Sequence, residues 1–215
     1  LVPAGLAVTA VACSTPVDED SLVYHLALPW QCLMNHRFPV DHVAFVMHLP
    51  LPVDLYYAIP ILLGDDRLAK WTMAGAFAAA GAVLAGRGMR SRDKTGGLLG
   101  PLAALSASYT FLIPSVPKND AAATACLVAG AMLWRANRGL PGALLLGGVA
   151  AAKLTAAPFA LAWVALPPPR LRQIPLTGAF LVLPVIPWLA KNWLALGDPL
   201  FPVLWRYLPS PFWGP

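Results

Sequence analysis

AKWTMAGAFAAAGAVLAG, residues Ala69 to Gly86, carries one charge, Lys70, and is otherwise almost entirely small or apolar. At about 1.5 Å per residue a helix over this stretch reaches ~27 Å, close to the ~30 Å hydrocarbon core of a bilayer. Asp65 and Asp66 stand just before it, and Arg87 and Arg90 just after. Acid at one end and base at the other mark an oriented transmembrane helix whose basic end is cytoplasmic.

The composition of the whole chain agrees with that reading. Hydrophobic residues make up 58% of the 215 positions and charged residues 12%, and the mean hydropathy is +0.65. A soluble domain of this size would be less apolar and more charged, so the bilayer is the expected solvent. Cys13, Cys32 and Cys126 are scattered, with no spacing that suggests a zinc site or a disulfide framework. The chain opens on Leu, its first apolar segment is short, and it closes on an aromatic, proline-rich stretch. It therefore reads as a fragment of a longer protein, one module over residues 1–215.

Charge orders the rest. Arg87, Arg90, Arg92 and Lys94, then Arg135 and Arg138, then Arg170 and Arg172, form three basic clusters, each beside an apolar run. Only Asp93 falls among them; the other nine acids, Asp18, Glu19, Asp20, Asp41, Asp54, Asp65, Asp66, Asp120 and Asp198, lie in the intervening segments. Basic clusters on the cytoplasmic side explain a pI near 9.4 as orientation, not as nucleic-acid binding. The expected spans are one ending near Cys13, then Ala69–Gly86, Gly96–Ile113, Ala121–Trp134 and about Leu176–Leu189.

Gly139 to Pro169 lies between two basic clusters, so parity demands no crossing or two. Two helices of ~14 residues reach only ~21 Å each, too short for a ~30 Å core. A short re-entrant hairpin with Lys153 near its tip follows, an element tolerated where protein or a water-filled cavity covers it. The fold class is therefore all-α: a polytopic membrane protein with six or seven transmembrane or re-entrant helices. Residues 14–67 form a long outer loop in which Leu22, Leu26, Leu28, Leu33 and Met34 follow a roughly helical pattern interrupted by Pro29. Such spacing suggests amphipathic helices lying on the membrane surface.

Asp20-Ser-Leu-Val-Tyr24-His25-Leu-Ala-Leu-Pro29 resembles the first outer loop of bacterial membrane glycosyltransferases of the GT-C superfamily, the group that contains protein O-mannosyltransferases and aminoarabinose transferases. Lys118-Asn119-Asp120, the stretch Gly147 to Thr155 around Lys153, and Lys191-Asn192 through Gly197-Asp198-Pro199 to Pro202 match in the same order. The resemblance covers nearly the whole chain, as the N-terminal module of that family. It implies a bacterial inner-membrane enzyme, inverting, with its site on the extracytoplasmic face. Such an enzyme moves a sugar from a polyprenyl-phosphate donor to a protein, lipid or glycan acceptor.

The resemblance gives Asp20 the general-base role or, failing that, ligation of a divalent cation together with Asp120. Ser21 departs from relatives that carry a second acid there. Glycosyl transfer from a lipid phosphate needs a proton acceptor for the incoming hydroxyl and cationic or polar groups for the developing phosphate charge. Lys153 is the candidate phosphate contact, with snorkelling to the interface as its plain alternative. Asp120 serves either the site or the positive end of its helix dipole. Tyr24, His25, Lys191 and Asn192 complete the candidate binding set. His25, His36, His42 and His48 share the outer loop without the spacing of a helical metal-ligand pair. The competing class is a non-catalytic transporter or lipid-binding module, in which the same charges line a pathway.

Overall fold

The computed structural model describes residues 13, 19–38, 45–49, 52–90, 116–165, 173–204, 206–208 and 212, and among these the chain is helical, with no strand. A π-helical turn, Ser21–His25, leads into α1, Ala27–Asn35. Pro29 does not break α1 as its position suggested: it is the third residue of the helix, in the first turn, where its missing N–H removes no bond within α1. Short 3₁₀ turns follow at Phe45–His48 and Asp54–Tyr57, and the second runs into α2, Ala58–Leu62.

α3, Arg67–Met89, contains the expected second span and is the one described helix long and apolar enough to cross a bilayer. Only 22% of its apolar window is buried within the protein. Asp65 caps its start: the Arg67 backbone N–H donates to Oδ1 at 3.0 Å and the Arg67 guanidinium grips both oxygens. The expected spans ending at Cys13 and over Gly96–Ile113 lie outside the described residues.

α4, Asp120–Arg135, and α5, Gly139–Ala152, are antiparallel and tightly packed. Small residues make this possible. A Cβ on Gly142 would stand 2.8 Å from the Trp134 backbone nitrogen, and one on Gly147 2.1 Å from the Leu181 carbonyl oxygen. α3 and α4 run parallel: Ala69 and Met73 share a core with Ala121, while Arg87 and Arg90 border the same space as Met132. The basic ends of α3 and α4 thus lie together, opposite the acids.

The hairpin after α5 forms as expected. Lys153 is extended (φ −152°, ψ 106°) and ends α5; a 3₁₀ turn, Leu154–Ala156, reverses the chain into α6, Ala157–Ala165. Return is shown at the far end, where Trp163 lies under the Arg135 guanidinium, 6.0 Å from ring centroid to charge, and packs in one cluster with Trp134, Ala143 and Leu146.

The last span differs from the expected continuous Leu176–Leu189. It is two helices, α7, Ile174–Val182, and α8, Ile186–Leu196, bent by 62°. Pro184 and Pro187 account for the break, since each removes a donor and crowds the preceding turn. By length and apolarity the described residues therefore supply one span, or two if the bent pair crosses as a unit.

Candidate functional site

Each sequence segment brings its polar group to the same end of the bundle for a local reason. The π-helical turn aims Asp20, Tyr24 and His25 from the outer segment; the start of α4 supplies Asp120; the helix break supplies Lys153. The segment beyond α8 arrives through a tight turn in which Gly197 takes φ +72° and Asp198 Oδ1 accepts the Leu200 N–H at 2.9 Å.

A cavity of about 440 Å³ opens where these meet. Asp20, Tyr24, His25, Lys118, Asp120 and Lys153 line it, closed on other sides by Leu49, Asn119, Leu154, Thr155, Pro202 and Val203. Two ion pairs frame it. The Lys118 ammonium donates to Asp20 Oδ2 at 3.0 Å across 98 residues of chain. The Lys153 ammonium donates to Asp120 Oδ1. Both pairs are partly open to solvent, so water and a ligand can reach the charges.

Lys118 itself is fixed through its backbone: the buried Tyr57 hydroxyl donates to its carbonyl at 2.9 Å, tying the outer segment to the entrance of α4. Burial pushes the Tyr57 phenol well above its ordinary range. Tyr24 stacks at a tilt on His25, ring centroids 4.2 Å apart. Burial, with the Asp20 charge second, pushes its phenol up to about 12, so it enters the cavity as a neutral hydrogen-bond donor.

Behind the wall, His25 Nδ1 meets Asp54 Oδ1 at 3.0 Å, with both side chains buried. Burial raises the Asp54 carboxyl and the His25 hydrogen bond opposes that rise. Asp54 Oδ2 has no hydrogen-bond partner. No spacing in the sequence pairs Asp54 with His25, 29 residues apart; the available signal was an acid placed among the apolar residues of Pro52 to Tyr57.

Lys191 and Asn192 lie outside this lining. Lys191 Nζ is 3.0 Å from His48 Nδ1, and Asn192 Nδ2 and Trp188 Nε1 donate to the His48 carbonyl at 2.8 and 2.9 Å. They hold the Phe45–His48 turn against α8, so geometry gives them an anchoring place, separate from the cavity. Of the other histidines, His36 is exposed at the left-handed end of α1, and His42 lies outside the described residues.

Among the described residues no three His, Cys, Asp or Glu side chains gather to hold a metal ion. Asp20 and Asp120 each already accept from a lysine. Two carboxylates engaged in this way do not make a cation cradle.

Comparison of the chain with protein-family models, curated proteins and solved structures finds no match to any of them.

Proposed function

We propose that this chain is the glycosyl-transferring module of a membrane enzyme that uses a polyprenyl-phosphate sugar as donor and works on the extracytoplasmic side of a bacterial inner membrane. The observation that carries the reading is the meeting of Asp20, Lys118, Asp120 and Lys153 in one cavity, drawn from segments up to 133 residues apart in sequence.

The polytopic architecture belongs to the same proposal. The outward apolar surface of α6 and α7, with Phe159 at 64% and Leu161 at 58% exposure, needs a hydrocarbon cover. Trp71, Tyr56, Trp193 and Tyr207 are exposed as well, as rings at the interface would be.

In this reading the Lys118 and Lys153 ammonium groups, each with three donors, take the phosphate oxygens of the donor in addition to their carboxylate partners. Asp20 and Asp120 also accept, through their remaining lone pairs, from sugar or acceptor hydroxyls. As the C1–O bond to the phosphate breaks, negative charge grows on the departing lipid phosphate, where the ammonium groups stabilise it most. The acceptor oxygen bonds to C1 from the opposite face and gives up its proton to a base of the cavity, a role the resemblance assigns to Asp20.

A binding module without turnover is the second reading, supported by the ion pairing of both carboxylates. The two are separated by supplying the full-length protein, in membranes, with a radiolabelled polyprenyl-phosphate hexose or pentose. Transfer of label out of the lipid-phosphate fraction, abolished in Lys153→Ala with normal insertion, supports the enzyme. Saturable retention of the donor without release of polyprenyl phosphate supports the binding module.

A further inference from the structure

His25 lines the cavity and is held by a buried carboxylate. Its side chain is 3% exposed and that of Asp54 0%. A carboxylate can only accept, so with Asp54 ionised the proton of the imidazole sits on Nδ1 and donates to Oδ1. Nε2 then carries the lone pair and is the ring nitrogen that Asp54 does not hold.

Asp20 is placed differently. It is half exposed, one oxygen is taken by the Lys118 ammonium, and among the described residues nothing buried fixes the other. A base that must take a proton at one defined point is better served by a ring locked from behind than by a surface carboxylate already neutralised.

We propose that His25, positioned by Asp54, is the proton acceptor for the incoming hydroxyl, and that Asp20 instead sets the position of Lys118 on the donor phosphate. This rests on the transfer reading above. The acceptor O–H proton passes to His25 Nε2 as the acceptor oxygen bonds to the sugar C1. The C1–O bond to the phosphate breaks and its electron pair leaves on the polyprenyl phosphate. The imidazolium that results has the Asp54 carboxylate against Nδ1–H, with Tyr24, Asp20, Lys118, Asp120 and Lys153 as the other titratable groups around the cavity. Asp54 touches no reacting atom; its orphaned Oδ2 is the cost of keeping a carboxylate there at all.

The test compares His25→Gln, Asp54→Asn and Asp20→Asn with the parent in full-length protein, using a radiolabelled polyprenyl-phosphate sugar and measuring donor Kd alongside turnover. The expected result is a loss of turnover of about a hundredfold or more in His25→Gln at unchanged donor Kd, the size of a general-base contribution. Asp54→Asn keeps the side-chain shape and loses turnover at least about tenfold, because Asn can present its amide N–H₂ to Nδ1 and so favour the other tautomer. Nitrogen-15 spectra of the imidazole should show the proton on Nδ1 in the parent and a shifted tautomer balance in Asp54→Asn, a signature that a packing role would leave unmoved. Asp20→Asn should weaken donor binding more than turnover. Parent-like turnover in His25→Gln, or a greater turnover loss in Asp20→Asn, overturns the assignment while leaving transfer itself intact. A parent that moves no sugar overturns the transfer reading beneath it.

Discussion

Lys153 and Asp120, 33 residues apart in sequence, form an ion pair at the end of the α4–α5 pair away from Arg135 and Arg138. It joins the tip of the α5–α6 hairpin to the first turn of the neighbouring helix. Asp120 therefore does what a first-turn acid does for a helix dipole and holds the hairpin's only charge as well.

That pair is half open, so its worth to stability is small. The double-mutant cycle of Lys153→Ala with Asp120→Ala should give a coupling of at most about 1 kcal/mol in thermal unfolding in detergent micelles. Transfer or donor retention should fall far more, at least about tenfold for Lys153→Ala, because the charge acts on a desolvated phosphate. A coupling energy of several kcal/mol with donor affinity unchanged would make Lys153 a structural tether.

Asp54 carries the opposite weighting. Asp54→Ala leaves His25 buried without its partner and should cost about 1–3 kcal/mol, whereas Asp54→Asn keeps an acceptor oxygen and should cost less. Its carboxyl is raised on folding, chiefly by burial. The folded state therefore binds this proton more tightly than the unfolded chain, and the contribution is complete below the ordinary Asp pKa. It is lost as pH rises through the folded value. Asp54→Asn should flatten that decline in a pH series of unfolding midpoints; an unchanged slope would contradict the burial argument.

Close packing predicts a graded response at the glycines of α5. Gly147→Ala drives a methyl into the Leu181 carbonyl, with a Cβ–O distance of 2.1 Å, while Gly148→Ala meets the Cys126 side chain, its sulfur at 3.3 Å. The first should destabilise by at least ~1–3 kcal/mol and the second by well under that, since backbone cannot yield as a side chain can. Equal unfolding temperatures for the two variants would mean that α5 and α7 are not in contact.

Lys191 and Asn192 supply a contrast. Asn192→Ala removes a buried donor from the His48 carbonyl and should lower stability by about 1 kcal/mol. Donor affinity should stay close to the parent value, because the side chain lies outside the cavity. A selective loss of donor binding would return Asn192 to the site.

What could be read from the chain, and what could not, divides along physical lines. α3, the Arg-rich ends of α3 and α4, and the hairpin with Lys153 at its tip follow from charge sorting and helix length, which act locally or through the bilayer normal. The acids at positions 18–20, Asp120 and Lys153 stood out because ionisable side chains beside apolar runs are costly without a use, whereas Asp20 in particular, Tyr24 and His25 came from the resemblance of their stretch to a glycosyltransferase loop. Lys118 as the partner of Asp20, Asp54 behind His25, and the removal of Lys191 and Asn192 from the cavity depend on how the outer segment lies over the bundle. No period encodes that. The break at Pro184 was present in the sequence and was overrun by the apolarity of its neighbours.

The central claim is spatial: Asp20 and Lys153 serve one cavity on the face away from the basic helix ends. Single cysteines replacing Asp20, Lys153, Arg87 and Arg138, in a background lacking Cys13, Cys32 and Cys126, can be probed with a membrane-impermeant maleimide in right-side-out and inverted vesicles. Positions 20 and 153 should label together from the outside, and positions 87 and 138 together from the inside. Labelling of 20 and 153 from opposite compartments would contradict the shared site.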